Sequence, residues 1–409
     1  MPLLVVYNPV SGDSSGRALF KDHVIPLLKQ KNVTPDHVEE TTGPGHVGTL
    51  VADFLASLPD STQTVSVVLG SGDGTLHELI NALNNLPSSK PLPRINLALV
   101  PCGTANALYV SLFPPTEDED TVTVEYKLKS VNAFLSPDPR AVPLNLAVTV
   151  LSAAPVRTPG LPQGPPQVSI SAVVASTALH ASILHDSEAL RASDPSMGRF
   201  KTAAMQNITR WYGASVKLFP REGAGVVEVF DPAAQAFVPH EASTEDEPIV
   251  DLSGPFAYFL STVNVDRLEP KFRISPRGRD VLVPEGRRSA ALDLVMVRPW
   301  RDPSYEMDSE EARARFAEKA AAVLGAAYQD GAHVNLRYDE SGKIVAEGTG
   351  PTVVEYIRCG GWEWEPDDID PRAHFVCADG DILTIPNGGK ARCTAATPMS
   401  DTTGFAIYV

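Results

Sequence analysis

The sequence predicts an α/β amino-terminal domain with a doubly wound, largely parallel sheet, followed by a β-rich, antiparallel, sandwich-like carboxy-terminal domain. Strand-like and helix-like patterns alternate up to about Leu112, as is typical of α/β domains. From about Leu144 the pattern changes to short β-like runs separated by turn residues. A chain of 409 residues has room for two domains of about 100 to 200 residues each. We place the boundary after residue 140, which gives domains at 1–140 and 141–409.

The amino-terminal elements follow one another as strand, turn and helix. Apolar runs rich in Val and Leu indicate the strands, and longer runs with apolar residues three and four positions apart indicate the helices. We predict strands over 3–7, 33–38, 65–69 and 95–100, with helices from Arg17 to Leu28, from His46 to Leu58 and onward from Leu79.

The turn at 70–78 carries the strongest functional signal. Three alternating glycines between a strand and a helix leave backbone N–H groups free to bind an anion such as phosphate. Asp73 lies among these groups, so we expect it to be ionised and able to accept a proton from an attacking hydroxyl. Ordinary turn chemistry, in which the carboxylate bonds its own backbone, explains Asp73 equally well. Thr75 and Glu78 have the spacing of a capping box, which predicts that Glu78 caps its own helix.

Two sister turns favour the catalytic interpretation of Asp73. A polar, glycine-bearing turn at 8–17 follows the first strand, and a turn of small residues at 101–107 follows the strand that ends at Val100. In a parallel doubly wound sheet, the turns that follow strands lie at the edge where ligands bind. The three turns therefore predict one phosphate-binding crevice.

The composition of the chain limits its partners and its compartment. The formal net charge of −16 disfavours nucleic acid as a partner and allows only local contact with an anionic membrane. No signal peptide is recognisable, and no apolar run approaches the roughly 18 residues of a membrane span. The cysteines are far apart and form no CxxC pair, which indicates neither a disulfide framework nor a zinc site. We therefore expect a cytoplasmic protein without a transmembrane segment.

Three segments of the second half interrupt the β-like pattern. The proline-rich stretch at 153–167 is a loop, for which an insertion is the simpler interpretation and a substrate-access flap the alternative. The segment from Arg199 to Arg221 holds five basic residues and no acidic one, with aromatic residues between them. It fits a membrane-facing helix, although a helix that packs its aromatic residues into the core is more common. The stretch from Asp308 to Ala327 predicts a helix begun by Ser309.

Two further groups of charged residues bear on chemistry. Arg191 and Arg199 are eight residues apart, and the arginine fork suits phosphate oxygens, although surface ion pairs with neighbouring acids explain them as well. The stretch at 377–383 predicts a hairpin whose Asp-Gly turn carries Asp379 and Asp381. Turn chemistry alone accounts for these two carboxylates unless a metal or a nucleotide lies nearby.

The ordered set of these motifs resembles the diacylglycerol kinase catalytic-domain superfamily, with the sphingosine and ceramide kinase branch as the most similar part. Single motifs are weak evidence, because a Gly-Gly-Asp-Gly turn also occurs in NAD kinases and phosphofructokinases, but the order is specific and covers nearly the whole chain. The blocks that carry the resemblance are Asn8–Gly12, 70–75 with Glu78 and Asn81, 101–107, 186–188 with the two arginines, 292–298 and 378–381.

The resemblance implies an NAD kinase-like first domain and ATP-dependent phosphorylation of a lipid hydroxyl. The nucleotide would lie in the crevice between the domains, and the acyl chains in the β-rich domain. Phosphoryl transfer needs positioning and charge neutralisation more than covalent chemistry, so N–H donors, arginines and Mg²⁺ are the expected parts. Carried over to this sequence, the resemblance makes Asp73 the general base. It makes Asp379 and Asp381 the nucleotide and magnesium ligands, and Arg191 and Arg199 the residues that bind phosphates. The remaining nucleotide-binding residues that it implies are Asn8, Ser11, Gly12, Thr41, Ser71, Gly72, Gly74, Thr75, Gly103 and Thr104.

Several positions depart from the family pattern, and these departures bear on which lipid is the substrate. Sphingosine kinases carry acidic residues just before the Asp-Ser-Glu block, where one holds the amino-alcohol head, and these substrate-binding positions are Ser182 and Leu184 here. The usual Asp-Gly before the late apolar strand is replaced by Ala290 and Ala291, and the terminal Asp-Gly-Glu ends in the shorter Asp381. The missing acid fits a neutral lipid alcohol such as diacylglycerol or ceramide, whereas the overall resemblance favours a sphingoid base.

Three functional hypotheses follow. The leading one is a lipid kinase that acts on its substrate at a membrane surface, peripherally on intracellular membranes. The second is a soluble-metabolite kinase of the NAD kinase type, which the later blocks disfavour. The third is a catalytically silent lipid-binding or regulatory module that has kept the fold. The sequence gives no indication of the oligomeric state.

Overall fold

A computed structural model describes residues 1–86, 92–116, 119–153, 166–278, 290–397 and 403–409. Most of the proline-rich loop predicted at 153–167 lies outside these residues. The strands and helices of the amino-terminal part are β1 (Leu3–Tyr7), α1 (Gly16–Leu19) with a π-helical continuation (Phe20–Val24), α2 (Ile25–Gln30), β2 (His37–Glu40), α3 (His46–Ser57), β3 (Thr64–Ser71), α4 (Asp73–Asn84), β4 (Arg94–Pro101), α5 (Ala107–Leu112), α6 (Val124–Lys127), α7 (Lys129–Phe134) and β5 (Ala141–Pro143).

The carboxy-terminal part consists mainly of strands. Its elements are β6 (Leu146–Ser152), β7 (Gln167–Ser171), β8 (Val174–Thr177), α8 (Ala178–Leu190), α9 (Gly198–Asn207), β9 (Ala214–Phe219), β10 (Glu228–Asp231), β11 (Ala236–Pro239), β12 (Val250–Ser253), β13 (Tyr258–Thr262), β14 (Leu292–Val297), α10 (Glu310–Ala327), β15 (Arg337–Tyr338), β16 (Ile344–Val345), β17 (Glu355–Cys359), β18 (Gly361–Pro366), β19 (Phe375–Ala378), β20 (Asp381–Thr384), β21 (Lys390–Ala396) and β22 (Phe405–Tyr408).

The first sheet is a six-stranded, mostly parallel sheet in the order β2-β1-β3-β4-β22-β5. One face is covered by α3 and α4, where Val51 and Leu79 belong to the same hydrophobic cluster as Val67. The helices before β2 cover the other face, where Phe20 and Leu28 cluster with residues of β1. Helices on both faces of a parallel sheet confirm the predicted doubly wound α/β fold.

The last strand of the chain completes this first sheet. β22 pairs in parallel with β4 and antiparallel with β5, so Phe405 lies opposite Ile95. Both β22 and β5 come after residue 140, the predicted domain boundary, which stays a prediction. The chain crosses into the β-rich part and returns to the first sheet at its end.

The β-rich part contains an eight-stranded sheet in the order β11-β10-β17-β14-β13-β8-β19-β20 and a six-stranded sheet in the order β12-β9-β18-β21-β6-β7. The strand pairs within both sheets are antiparallel, which confirms the predicted antiparallel half. Trp362 Nε1 in one sheet donates a hydrogen bond of 2.9 Å to Ser261 Oγ in the other. Phe259 packs edge-on against Trp362, with ring centroids 5.3 Å apart. Aromatic side chains therefore fill the space between the two sheets.

Several predicted elements differ in detail. The strand expected over 33–38 begins only at His37, and the segment from Arg199 to Arg221 is not one helix, because α9 ends at Asn207 and β9 follows. Trp211 and Tyr212 are 4% and 0% exposed, so the aromatic residues of this segment belong to the core and the membrane-facing interpretation is wrong. α10 is capped by Ser309, whose Oγ accepts the N–H of Ala312 at 3.1 Å, as predicted. Among the described residues, no helix combines the length and the apolar character that a bilayer crossing requires.

Candidate active site

Three glycine-bearing turns meet at the carboxyl ends of β1, β3 and β4. A Cβ on Gly103 would lie 2.3 Å from Cα of Gly72, and a Cβ on Gly12 would lie 2.3 Å from the carbonyl oxygen of Cys102. Gly12 also has a φ of +58°, which favours glycine. Only residues without a side chain allow these turns to touch, so the glycines permit close contact between the turns at this edge of the sheet.

The polar residues of these turns mainly hold the turns in shape. Asn8 Oδ1 accepts the N–H of Val10 at 3.1 Å, and Asn106 closes the third turn by bonding both the N–H and the C=O of Gly103. Thr41 follows β2 at the same edge, and its N–H donates to the carbonyl of Tyr7 at 2.9 Å. Of the predicted nucleotide-binding residues, Gly12, Gly103 and Thr104 line one cavity at this edge, and Ser71 and Gly72 line a smaller one beside it.

Asp73 is the first residue of α4 and reaches across to the third turn. Its Oδ2 accepts the N–H of Ala107 at 2.6 Å and its Oδ1 accepts the N–H of Leu108 at 3.3 Å, while its own N–H donates to Ala105 at 3.2 Å. The side chain thus joins two turns and does not fold back on its own backbone, contrary to the turn-aspartate interpretation.

The environment of Asp73 changes its protonation. Burial and, to a lesser extent, the negative charge of Asp379 raise the pKa of this carboxyl to about 7, because the two backbone N–H donors only partly offset these effects. The expectation of an ionised Asp73 is met only in part at neutral pH, because desolvation outweighs the N–H donors. A pKa near neutrality suits a general base, which must accept a proton and later release it.

Glu78 is a helix cap, but for a different helix than predicted. α4 begins at Asp73, so Thr75 is its third residue and not its N-cap. The Thr75 hydroxyl accepts a hydrogen bond from Ser71 Oγ. Glu78 Oε2 accepts the N–H of Gly45, the residue just before α3, at 2.9 Å. The capping-box spacing is present, but the helix begins at Asp73, three residues earlier than a cap at Thr75 implies.

Gly74 leaves room for an anion at the start of α4. A Cβ at this position would meet no atom within 4 Å, in contrast to Gly72 and Gly103, which are closely packed. The N–H groups in the first turn of a helix have no partners within the helix and attract phosphate oxygens. The open side of the turn thus fits the phosphate groups of a nucleotide.

A cavity of about 590 Å³ lies beside the turns that contain Gly12 and Gly103. Its lining includes Thr104, Lys127 and the segments 195–197 and 268–270. Asn106 and Pro101 line both this cavity and a small one next to Asp73. Sequence reasoning did not single out Lys127, because no local pattern connects α6 with the glycine turns that line the same cavity.

The two arginines predicted to bind phosphates have different environments. Arg191 has a side chain that is 60% exposed and pairs with Glu188 at 2.7 Å, as the surface ion-pair interpretation predicts. Arg199 is 3% exposed, and its Nη1 donates to the carbonyls of Pro195 and Ser196 at 2.7 and 2.9 Å. Arg199 therefore supports the loop that forms one wall of the cavity, and in this structure it does not face the open crevice.

Asp379 and Asp381 do not form a common site. Asp379 lies in the predicted hairpin turn with a φ of +50°, and its fully buried carboxylate accepts the N–H groups of residues 172, 173 and 174 at 2.7 to 2.9 Å. Asp381 is exposed on β20. Both oxygens of Asp379 are occupied, so the pair does not fit a magnesium ion, and the described part of the chain holds no group of three or more metal-ligating side chains.

The predicted head-group positions lie on α8. Ser182 is completely buried and its Oγ accepts the hydroxyl of Tyr212 at 3.0 Å. Leu184 is partly buried and packs against the hydrophobic core. The space that an acid would occupy in an amine-binding site is therefore taken by a neutral hydroxyl pair and an aliphatic side chain.

Comparison with known proteins connects this site to a family. Residues 2–133 match the diacylglycerol kinase catalytic domain. Sphingosine kinase 1 of Arabidopsis thaliana is 31% identical over 113 residues, which are 28% of this chain and 22% of that protein. A human sphingosine kinase 2 is 31% identical over 106 residues (26% and 15%), and a diacylglycerol kinase of Staphylococcus saprophyticus is 28% identical over 120 residues (29% and 35%). The matched segments thus cover far less than half of these relatives.

The solved structures extend the similarity to the whole fold. A candidate diacylglycerol kinase of Bacillus anthracis superposes with a TM-score of 0.50 over 97% of this chain and 94% of that chain, at 13% identity. Identity at this level shows a shared fold and says nothing of the substrate. The resemblance seen in the motifs is confirmed by the domain match: residues 2–133 are similar to the diacylglycerol kinase catalytic domain.

Proposed function

We propose that the protein is a lipid kinase that transfers the γ-phosphoryl group of ATP to a hydroxyl of a lipid at a membrane surface. The observation that carries the proposal is the placement of Asp73 at the junction of the glycine turns, with a pKa of about 7. The similarity to sphingosine and diacylglycerol kinases supports it. Under this proposal the protein works in the cytoplasm and binds the membrane only peripherally.

The first-domain turns are the proposed nucleotide site. The open side of Gly74 at the start of α4 provides space for phosphates, and Lys127 adds a positive charge at the cavity beside Gly103. Arg191 is exposed and free to move toward a bound triphosphate, whereas Arg199 acts on the cavity wall. Because Asp379 does not fit a metal, we assign no magnesium ligand, and the ion is supplied with the nucleotide as Mg-ATP.

Asp73 is the proposed general base. As the lipid oxygen attacks the γ-phosphorus, its proton passes to a carboxylate oxygen of Asp73, the P–O bond to the β-phosphate breaks, and ADP leaves. The N–H groups of Ala107 and Leu108 hold the carboxylate in place during this transfer. The residues of the glycine turns orient the phosphates, and because they are small they leave the line of attack on the γ-phosphorus open.

The environment of Ser182 favours a lipid without an amine. A buried hydroxyl pair offers no charge to balance an ammonium group, and an unpaired charge is costly to bury. A neutral lipid alcohol, such as diacylglycerol or ceramide, is therefore the proposed acceptor, with a sphingoid base as the alternative that the sequence relatives favour.

The test is a radiolabelled phosphate-transfer assay with Mg-ATP and vesicles that contain sphingoid bases, ceramides, diacylglycerols or monoacylglycerols. We expect label in a neutral lipid fraction. Label in the sphingoid base alone would overturn the substrate assignment, and label in NAD but in no lipid would overturn the lipid kinase proposal. If no acceptor is labelled and Mg-ATP does not raise the Tm, the protein is a silent module, because a ligand that binds only the native state must stabilise it.

A further inference from the structure

Asn81 attaches helix α4 to the β-rich half of the molecule. Its Nδ2 donates to the carbonyl of Ile170 at 2.8 Å, and its Oδ1 accepts the N–H of Ile170 at 2.9 Å. One side-chain amide thus pairs with both backbone groups of a residue in β7, as a neighbouring strand would. Two buried backbone groups would lose their partners without it.

His77 makes a second attachment one turn earlier on α4. The ring is 7% exposed, and its Nδ1 lies 3.6 Å from Oδ2 of Asp379. Asp379 is in turn fixed by the N–H groups of residues 172 and 173, which connect β7 to β8, and of Val174, the first residue of β8. Asn81 also donates to the carbonyl of His77 at 2.9 Å, so the two attachments are coupled.

Asp73, His77 and Asn81 are each four residues apart. Residues with this spacing lie on one face of a helix, so the base and both attachments share the face of α4 that is turned toward the second half. The start of α4 contacts the glycine turns, whereas its later turns are held by β7 and by the hairpin of β19 and β20. The helix therefore packs on the first sheet and is also bonded to the second half.

We propose that Asn81 and His77 are positioning residues, which hold α4 against the lipid-binding half so that Asp73 meets the acceptor hydroxyl in the correct geometry. The proposal rests on the proposed lipid kinase function and deepens it. Neither residue touches a substrate in this scheme; each acts through the orientation of the helix. A shift of about 1 Å in a catalytic group is enough to lower a rate by about 100-fold.

The experiment compares Asn81→Leu with Asn84→Leu, a matched substitution at an exposed position of the same helix. Asn81→Leu is expected to lower kcat by on the order of 10- to 100-fold, with the KM for ATP unchanged, because the nucleotide is bound by the first half. Amide hydrogen exchange at residues 170–174 should become faster. Asn84→Leu should change none of these quantities.

His77 provides the second arm. His77→Leu should lower kcat with the KM for ATP unchanged, and His77→Gln, which keeps an N–H donor beside Asp379, should recover part of the loss. If Asn81→Leu does not fold, Asn81→Asp replaces it, because Asp keeps the acceptor for the N–H of Ile170 but turns a second acceptor toward the Ile170 carbonyl in place of the donor.

The outcomes separate the inference from the proposed function. If Asp73→Asn lowers kcat by about 10²-fold or more while the folded Asn81 and His77 variants retain the wild-type kcat, the positioning role is wrong and the kinase proposal stands. A loss of activity that parallels only a lower Tm or a weaker binding of ATP also contradicts the positioning role. A wild-type protein without any transfer activity contradicts the proposed function itself.

Discussion

The two halves of the molecule use their motif residues in different ways. In the parallel sheet, the turns after β1, β3 and β4 are separated in sequence but end at one edge, so their glycines and Asp73 converge. In the antiparallel half, Arg199 bonds two backbone carbonyls and Asp379 bonds three backbone N–H groups. In the parallel sheet, topology therefore brings motif residues from separate turns together at one edge, whereas the motif residues Arg199 and Asp379 of the second half are each bonded to backbone groups close to them.

The largest expected effect is on Asp73, at the edge of the parallel sheet. Asp73→Asn should lower kcat for lipid phosphorylation by about 10²- to 10⁴-fold, the usual contribution of a general base. Binding of Mg-ATP, measured by calorimetry, should persist. Asp53→Asn, at an exposed position of α3, is the matched control and should retain wild-type activity. Undiminished transfer by Asp73→Asn would remove Asp73 from the mechanism.

A smaller effect is expected where the glycine turns touch. Gly103→Ala would place a Cβ 2.3 Å from Cα of Gly72, and because both atoms belong to backbone the strain cannot be relieved by a side-chain movement. We expect a loss of about 1 to 3 kcal/mol in the free energy of unfolding and a weaker binding of ATP. Gly43→Ala, where a Cβ meets nothing within 4 Å, is the control. Equal stability of the two variants in urea unfolding would show that the turns are not packed as described.

Asp379 tests the claim that motif residues of the antiparallel half stabilise the backbone around them. Asp379→Asn should lower the free energy of unfolding by about 1 to 3 kcal/mol, because a buried N–H group loses its charged acceptor. The concentration of Mg²⁺ that gives half-maximal activity should not change. Asp381→Asn, on the exposed side of the same turn, should leave both quantities unchanged. A large increase in the Mg²⁺ requirement of Asp379→Asn would assign this residue to the metal after all.

The smallest effect on stability is expected for Arg191. Its pair with Glu188 is exposed, and such pairs contribute little. Arg191→Ala should leave the Tm unchanged and raise only the KM for ATP, whereas Arg199→Ala should lower the Tm because the loop at 195–196 loses its support. The reverse pattern, with a stability loss at Arg191 and a pure KM effect at Arg199, would exchange the two roles.

Much of the fold was predictable because its signals are local. The apolar run at 65–69, the glycine turn after it and the Asp-Gly hairpin at 377–383 all fold as predicted, since strand pattern and positive φ are properties of a few neighbouring residues. The meeting of the three turns was also predictable, because parallel strands fix which turns share an edge.

The contacts that sequence reasoning missed connect residues far apart in the chain. Glu78 has the spacing of a cap for its own helix but bonds Gly45, and β22 at the very end of the chain joins the first sheet. Arg199 resembles a phosphate ligand, yet its burial directs it to nearby carbonyls. In each case the hydrogen-bond or strand partner is determined by tertiary packing, and a local sequence pattern carries no information about that packing.

The pH dependence of kcat/KM for the lipid, measured for wild type and Asp73→Asn, tests the central claim most directly. A general base must be deprotonated to act, so a carboxyl whose pKa is raised to about 7 should cause activity to fall as the pH decreases through that value. We predict this acid limb in the wild type and its absence from the residual activity of Asp73→Asn. An acid limb that persists unchanged in Asp73→Asn, or a wild-type profile that is flat through neutrality, would contradict the assignment of Asp73 as the base.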